Sequence, residues 1–342
     1  MLGSGPAAAG DPSARGRMSV PCRSMVVMLS TSTMNRVLVV VVAAGVAVTA
    51  GCGAAPREAP TAVPTASSAP APTTTPSPTA TQLPLALEEL EARYDARLGV
   101  HAVDTGTGAV VAWRADERFA YASTIKALAA GALLDLVGVD GLAREVPVRA
   151  EDVVTYSPVT ETRVGGTMTL AEVAEAAVTR SDNTAGNLLF EALGGPAALD
   201  EALAALGDDV TVVARTEPDL NEATPGDERD TTTPQVLAAD LREYVLGTTL
   251  TDDERAVLTA WLTGTQTGDT LVRALLPADW VVGDKSGTGG FGTRNDVAVV
   301  WPTEGAPIVV AVMSDRAERD AEPDDAVVAE AAAAAVAALG RS

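Results

Sequence analysis

The chain has 342 residues and carries 24 lysine and arginine residues against 46 aspartate and glutamate residues, a net charge of −22. This negative charge would repel nucleic acid and anionic lipid headgroups, which excludes a nucleic-acid-binding protein. His101 is the only histidine, and the two cysteines, Cys22 and Cys52, both precede the region that we expect to fold. A multi-histidine metal site, a Cys–His pair and a disulfide within the fold are therefore excluded, and we predict neither a metal nor a cofactor.

The N-terminal segment has the pattern of an export signal. Met34-Asn35-Arg36 precedes an apolar run at residues 37–48 and small residues at 49–51, which is typical of a secretory signal peptide, and the run is short for a membrane span. Gly51-Cys52 resembles the lipobox of bacterial lipoproteins, although Thr49 stands where leucine is usual. We therefore expect an upstream extension and signal peptide at residues 1–52 and an exported protein. It is either held at the outer face of the cytoplasmic membrane by a lipid on Cys52 or cleaved by plain signal processing and secreted.

Residues 53–84 consist largely of alanine, proline, threonine and serine. Such a composition buries too little apolar surface to fold, so it predicts a disordered tether. The remaining residues, 85–342, are long enough to form one large domain or two lobes.

The predicted strands lie at the two ends of this domain, and the predicted helices lie between them. A helix at residues 85–98 leads into an alternating hairpin at 100–103 and 109–113, and His101 has the position of a structural histidine on a strand face. The other predicted strands are residues 280–282, 297–301 and 308–313. The predicted helices that follow the hairpin are residues 125–137, 170–179, 185–193, 197–206, 234–246 and 326–339.

This order predicts a β-sheet built from both ends of the chain. The sheet lobe comprises residues 85–118 and 263–342, and an all-helical lobe, residues 119–262, is inserted between its two parts. We expect the ligand site in a cleft between the lobes.

Both lysines of the chain lie in short motifs that suit catalysis. Lys126 ends Ser123-Thr124-Ile125-Lys126, and Lys285 begins Lys285-Ser286-Gly287-Thr288-Gly289. Arginine can replace lysine as an exposed cation, but only lysine readily loses its proton in a desolvated site and acts as a base. Ser123 and Lys126 are three residues apart at the start of a predicted helix, so the amine can take the proton of the hydroxyl. The helix N-terminus offers N–H groups where an oxyanion would form.

Each motif alone has an ordinary structural explanation, because serine and aspartate commonly cap helices. Ser181-Asp182-Asn183, before the predicted helix at 185–193, fits such a cap. The order Ser-x-x-Lys, Ser-Asp-Asn, Lys-Ser-Gly is far more specific, and it resembles the motif set of class A serine β-lactamases.

Further segments strengthen the resemblance. Glu217-Pro218-Asp219-Leu220-Asn221 resembles the Glu-x-x-Leu-Asn segment of the family's omega loop, and Arg215 and Asp230 match the pair that closes this loop. Tyr156-Ser157-Pro158 is similar to the tyrosine wall of the cleft, and Arg294 to the arginine that helps to bind the substrate carboxylate. Ile125 replaces the commoner phenylalanine, and Ser286 replaces threonine.

The resemblance implies an α/β (α+β) fold with an antiparallel five-stranded sheet flanked by helices. It also implies a monomeric enzyme that hydrolyses penicillins and some cephalosporins and thereby confers antibiotic resistance. Ser123 would be the nucleophile, Lys126 and Glu217 would transfer its proton, and Ser181 would pass a proton to the leaving nitrogen. The N–H groups of Ser123 and Thr288 would form the oxyanion hole. The residues implied in substrate binding are Tyr156, Asn183, Asn221, Lys285, Ser286, Gly287, Thr288 and Arg294.

Two other functions share these motifs. A penicillin-binding D-alanyl-D-alanine peptidase has the three motifs without the deacylating glutamate, and Glu217 therefore favours the hydrolase. A lipoprotein that binds β-lactams without turnover, as a sensor, would suit the predicted tether. Ala122 and Gly289 stand where some carbapenem-hydrolysing members carry a cysteine pair, which disfavours that subgroup.

Overall fold

A computed structural model describes residues 83–341 of the chain. The predicted signal peptide, the lipidation site at Cys52 and nearly all of the predicted tether lie outside the described residues. The first helix begins at Leu83, two residues before the predicted start. Pro84 is compatible with this because proline is tolerated in the first turn of a helix, where its missing N–H group has no partner to lose.

The described residues form eight α-helices and nine β-strands. In chain order they are α1 Leu83–Tyr94, β1 Arg97–Asp104, β2 Val110–Trp113, β3 Phe119–Ala120, α2 Ile125–Gly141, β4 Glu145–Pro147, β5 Thr167–Thr169, α3 Leu170–Thr179, α4 Asn183–Leu193, α5 Pro196–Leu206, β6 Thr231–Thr232, α6 Pro234–Leu246, α7 Asp252–Thr263, β7 Val281–Thr288, β8 Arg294–Trp301, β9 Ile308–Asp315 and α8 Asp325–Ala338.

Five strands form the main sheet, in the order β2-β1-β9-β8-β7, and every neighbouring pair is antiparallel. Val100 of β1 pairs with Val312 of β9, so the two ends of the domain meet in the middle of the sheet. The predicted five-stranded antiparallel sheet built from both chain ends is confirmed.

Side chains alternate between the two faces of this sheet and form two hydrophobic cores. On β9, Val309 and Ala311 belong to the core shared with the helices inserted between β3 and β7. Val310 and Val312 belong to the core beneath α1 and α8. Because β9 is covered on both faces, it has the continuous apolar pattern of a central strand.

The first ten residues of helix α2, 125–134, run through the larger core and are buried on all sides, which suits their apolar composition. Among the described residues, Ala122–Gly141 is the one helical stretch that is long and apolar enough to cross a bilayer, and most of it is buried inside the domain. Gly138 has a φ of 66° and interrupts the helix one residue after its predicted end at residue 137.

Several elements differ from the sequence prediction. The first helix, predicted to run to residue 98, ends at Tyr94, because residues from Arg97 onward pair with β9 as strand β1. The inserted lobe, residues 119–262, is not all-helical, since it contains the short strands β3, β4, β5 and β6.

Strand β7 continues through Thr288, so Lys285-Ser286-Gly287-Thr288 lies on the strand and does not follow it. Gly287 lies in extended backbone and pairs with Asn295 of β8. Helix α7 was not predicted individually. The sequence does mark the start of this helix, because Thr251 and Glu254 form a capping box, but the helix has a low overall hydrophobicity and so a weak apolar pattern.

Candidate active site

Ser123 lies in a single turn of 3₁₀ helix, Ala122–Thr124, that leads into α2. We predicted Ser123 at the start of the helix, where serine often caps free N–H groups. The structure instead places Thr124 at the N-cap of α2, and no side chain makes a capping hydrogen bond there. The Ser123 hydroxyl is therefore available for other contacts. Ala122 has a φ of 48°, a costly backbone conformation for a non-glycine residue that tends to occur at functional sites.

The hydroxyl of Ser123 contacts both an amine and a carboxylate. Lys126 Nζ donates to Ser123 Oγ at 2.9 Å, and Ser123 Oγ donates to Glu217 Oε1 at 3.2 Å. Lys126 Nζ lies 2.8 Å from the same Glu217 oxygen, and both side chains are fully buried. A serine held between two groups that can each accept its proton is arranged for nucleophilic attack.

Lys126 has further acceptors at the N-terminal end of α4. Its Nζ donates to Ser181 O at 2.9 Å and to Asn183 Oδ1 at 2.7 Å. Burial lowers the pKa of Lys126 from its ordinary value, while the negative charge of Glu217 opposes this shift. The amine is therefore closer to releasing a proton than an exposed lysine would be.

Gly186 of α4 makes room for Lys126. A Cβ atom at this position would lie 2.7 Å from Lys126 Cε. The sequence analysis missed this residue, because a glycine inside a helix gives no local sign of the distant side chain that passes it.

Glu217 belongs to the loop formed by residues 215–230, which we call the Glu217 loop. The Nδ2 group of Asn221 donates to Glu217 Oε2. Asn187 of α4 holds the backbone of the same residue: Glu217 N donates to Asn187 Oδ1 at 2.8 Å, and Asn187 Nδ2 donates to Glu217 O at 2.9 Å. Asn187 was also missed. The one available signal was its position four residues after Asn183, on the same face of α4.

An ion pair closes the ends of the Glu217 loop. Arg215 Nε donates to Asp230 Oδ2. Asp230 Oδ1 accepts hydrogen bonds from Arg215 N at 2.9 Å, Ala214 N at 3.0 Å and the Tyr121 hydroxyl at 2.9 Å. The Asp230 side chain is 1% exposed and that of Arg215 is 17% exposed, so the carboxylate is held almost entirely by protein donors.

Lys285 of β7 reaches the site from the sheet. Its Nζ donates to Ser181 Oγ at 3.0 Å and to Ser286 O at 2.7 Å. Burial, and secondarily the positive charge of Lys126, lowers the pKa of Lys285 to about 7. Ser181 therefore connects the two lysines, since its backbone oxygen accepts from Lys126 and its hydroxyl accepts from Lys285.

The outer part of β7 carries the other predicted carboxylate-binding groups. Arg294 Nη1 donates to Thr288 Oγ1 at 2.8 Å, and Arg294 Nε donates to Asp325 Oδ1 at 2.6 Å. The Ser286 hydroxyl lies 2.7 Å from Thr267 Oγ1. A Cβ atom on Gly287 would lie 2.9 Å from Tyr121 O, so glycine allows this edge strand to approach the Ser123 turn.

The segment with Tyr156 forms another wall. Tyr156 is 59% exposed, and its carbonyl accepts from Asn183 N at 3.0 Å. Asp182 caps α4 by accepting from Ala185 N at 2.8 Å, and its other oxygen accepts from Val159 N at 2.8 Å. Asp182 thus joins the helix that carries Asn183 to the segment that carries Tyr156. His101 lies on β1, partly buried, in another part of the sheet.

Comparisons with known proteins agree on one family. A sequence model described as the β-lactamase enzyme family matches residues 82–339. The β-lactamase of Amycolatopsis lactamdurans is 56% identical over 251 residues, which cover 73% of this chain and 83% of that protein. The β-lactamase of Bacillus subtilis strain 168 is 52% identical over 244 residues, covering 71% and 80% respectively. The crystal structure of a class A β-lactamase from Clostridium kluyveri DSM 555 has a TM-score of 0.75 and 45% identity, and covers 76% of this chain and 99% of that one.

Proposed function

The chain belongs to the β-lactamase enzyme family, and on that premise we propose that it hydrolyses penicillins and some cephalosporins through an acyl-enzyme on Ser123, and so confers antibiotic resistance. The observation that carries this proposal is the position of Glu217, which contacts Ser123 and Lys126 together and is also held by Asn221.

In the first step, Ser123 Oγ attacks the lactam carbonyl carbon. Its proton passes to Lys126 or Glu217, each of which lies within hydrogen-bonding distance. The carbonyl oxygen becomes an oxyanion, which the backbone N–H groups of Ser123 and Thr288 stabilise.

The tetrahedral intermediate then collapses, and the ring C–N bond breaks. The leaving nitrogen takes a proton from the hydroxyl of Ser181, to which Lys285 donates a hydrogen bond. The proton that Ser123 gave up replaces it, passing from Lys126, whose amine also binds the backbone oxygen of Ser181. Lys285, Ser286, Thr288 and Arg294 bind the substrate carboxylate and so place the ring over Ser123.

In the second step, Glu217 removes a proton from a water molecule that attacks the ester, and the Asn221 amide helps to orient this water. The peptidase alternative lacks this glutamate, and the sensor alternative binds β-lactams without turnover. A carboxylate in contact with the nucleophile therefore supports complete hydrolysis over formation of a long-lived adduct.

Glu217→Ala and Ser123→Ala separate the two steps. After mixing with benzylpenicillin, we expect intact-protein mass spectrometry to show a lasting adduct on Glu217→Ala and none on Ser123→Ala. Asp219→Ala removes another carboxylate of the same loop and serves as a matched control that should turn over normally. If Glu217→Ala hydrolyses penicillin at the wild-type rate without accumulating adduct, the deacylation role is wrong.

The proposed substrate range rests on residues beside the nucleophile. Ala122 and Gly289 offer no cysteine pair of the kind that some carbapenem-hydrolysing relatives carry. Steady hydrolysis of a chromogenic cephalosporin would support the enzyme. A single burst equal to the protein concentration would instead indicate a peptidase or a sensor.

We further propose export and anchoring of a monomer through a lipid on Cys52. The supporting pattern is Gly51-Cys52 after the apolar run at residues 37–48. Cys52→Ala should release the protein from the membrane fraction or leave it unprocessed. A wild-type protein that is soluble and begins at another residue would contradict the anchor, and light scattering of the delipidated chain would test the monomer.

A further inference from the structure

A cavity of about 740 Å³ lies beside the Glu217 loop but does not include the catalytic groups. Residues 223–229 of the loop form one wall, and the rest of the lining includes Arg118, Phe291 and Arg316. Neither Ser123 nor any of its hydrogen-bonding partners lines this cavity. The loop therefore separates two different environments: Glu217 faces the nucleophile, and the later residues of the loop border the cavity.

Five arginines line the cavity, and three of them are neutralised by neighbouring carboxylates. Arg97 pairs with Asp315, Arg114 with Glu91, and Arg229 with Asp227. The other two arginines, Arg118 and Arg316, are not part of these ion pairs.

Within residues 83–341, neither Arg118 nor Arg316 has a carboxylate within ion-pair distance. Arg118 Nη1 donates to Thr231 Oγ1 at 3.1 Å. Arg316 Nε donates to Tyr94 O at 3.2 Å, and its Nη1 donates to Glu322 O at 2.5 Å. Both side chains are partly buried, whereas Asp95 and Glu228, the lining acids outside the three ion pairs, are solvent-exposed.

Six arginines among residues 83–341 lack a carboxylate within ion-pair distance. Four of them are solvent-exposed, and only the two at the cavity are partly buried. Guanidinium groups bind carboxylate and phosphate through paired N–H donors, so two of them at one cavity suit an anionic ligand. Phe291 and Pro225 add apolar surface to the wall, and the cavity volume is in the range that accommodates a small organic molecule.

We propose that this cavity binds a small organic anion, with a carboxylate or phosphate group held by Arg118 and Arg316 and an apolar part against Phe291. The site is distinct from the substrate site that contains Ser123 and Lys285.

Two contacts connect the cavity to Glu217. Gly290, next to Phe291, donates its N–H group to Asn221 O at 2.8 Å, and Asn221 holds the Glu217 carboxylate. Arg118 contacts Thr231, which follows Asp230 at the closed end of the loop. An anion in the cavity would therefore restrain the second half of the Glu217 loop, between Asn221 and Thr231. Any effect on kcat rests on the catalytic role proposed above for Glu217, but binding itself does not.

The test is a calorimetric titration of the full chain with benzoate and phenyl phosphate, at constant ionic strength, with neutral benzyl alcohol as the uncharged probe. We expect saturable binding of at least one anion and none of the alcohol. The two anions distinguish a carboxylate site from a phosphate site. Equal binding of the alcohol, or no saturable binding of either anion, would overturn the proposal even if the protein is an active β-lactamase.

Arginine variants locate the bound anion. Replacing both cavity cations, Arg118→Gln with Arg316→Gln, should raise the dissociation constant by about tenfold or more, as expected for lost charge-assisted hydrogen bonds. Arg242→Gln is the matched control, since Arg242 is exposed and outside the cavity. An anion bound at Lys285 instead would bind the double variant as well as the wild type and would compete with substrate, and this result would also overturn the proposal.

Hydrogen exchange gives a measurement that needs no variant. Bound anion should slow the exchange of backbone amides at residues 223–229, because binding to the native state suppresses local opening. Unchanged exchange in that segment at saturating anion would show that the ligand does not contact the loop.

Discussion

Lys126 and Lys285 are both fully buried, yet they lie in different electrostatic environments. Lys126 contacts a carboxylate, Glu217, at 2.8 Å, whereas the hydrogen bonds of Lys285 go to the hydroxyl of Ser181 and the carbonyl of Ser286. Burial lowers the pKa of both amines, but Glu217 counteracts the effect at Lys126, while the charge of Lys126 adds to it at Lys285. One lysine is paired for proton transfer, and the other lacks a directly bound counter-charge and is suited to receive an anionic substrate.

Replacing each lysine with arginine should have the largest effect on catalysis, and a different effect at each site. Lys126→Arg keeps a positive charge but cannot accept a proton, and Gly186 leaves little space for a larger group. We expect the acylation rate to fall by about 10²–10⁴-fold, the usual contribution of a general base. Lys285→Arg should mainly raise KM, by about tenfold, the value of one charge-assisted hydrogen bond.

Stopped-flow acylation and steady-state kinetics would measure both variants, with circular dichroism as the control for folding. Similar losses of kcat in two folded variants would show that the lysines do not have separate roles.

A variant that loosens the Glu217 loop would displace the carboxylate that pairs with Lys126 while leaving the lysine itself unchanged. Asp230→Asn leaves Arg215 without its buried partner, and we expect the free energy of unfolding to fall by about 3 kcal/mol. The substrate profile should change as well, because Glu217 loses its fixed position.

Denaturant unfolding would measure the loss of stability. Arg229→Gln, which breaks the exposed Arg229–Asp227 pair in the same loop, is the control and should leave stability unchanged. Equal stability of Asp230→Asn and the wild type would show that the loop does not depend on the ion pair.

The pH dependence should identify Lys285. Its pKa of about 7 lies below the ordinary value for lysine, so the amine is protonated at lower pH and loses its charge as the pH rises through about 7. Binding of the substrate carboxylate should therefore weaken on the alkaline side, and kcat/KM should decline there chiefly through KM. Lys285→Arg should lack this decline, because the guanidinium group stays charged. If kcat/KM of the variant declines at alkaline pH as it does in the wild type, another group causes the decline.

The smallest expected effect is that of a chelator. Since the chain has one histidine, and both cysteines precede the described residues, neither usual zinc ligand set can be assembled in the domain. Hydrolysis should proceed at the same rate in EDTA. A loss of activity that Zn²⁺ restores would contradict the serine mechanism.

Local pattern and motif order predicted much of this molecule. The helices Leu170–Thr179 and Pro234–Leu246 have their predicted bounds because apolar periodicity, a capping threonine and, for the second, an initial proline coincide there. The five strands were also placed correctly along the chain. The continuation of β7 through its glycine was not predicted, because pairing with β8 stabilises extended backbone where local preference suggests a turn.

The missed site residues share one physical property: they act through contacts with distant parts of the chain. Asn187 brackets the Glu217 backbone, and Gly186 makes space for Lys126. The arginines of the cavity beside the Glu217 loop belong to the same group, since Arg118 and Arg316 are far apart in the sequence and line one cavity only in the folded chain. No spacing rule along the sequence links such residues.

The central position of β9 has a consequence for how the protein is made. The strand lies between β1, near the start of the domain, and β8, near its end, and it is the last strand to be synthesised. Until it emerges, the β7–β8 hairpin that carries Lys285 has no strand through which it can pair with the N-terminal hairpin, so the five-stranded sheet cannot form. Strands as far apart in the sequence as β1 and β9 pair slowly, because the entropy cost of closing the loop between them comes before the gain from their contacts. Folding to an active enzyme is therefore completed after synthesis and not during it, and a chain truncated before β9 should be inactive and prone to proteolysis.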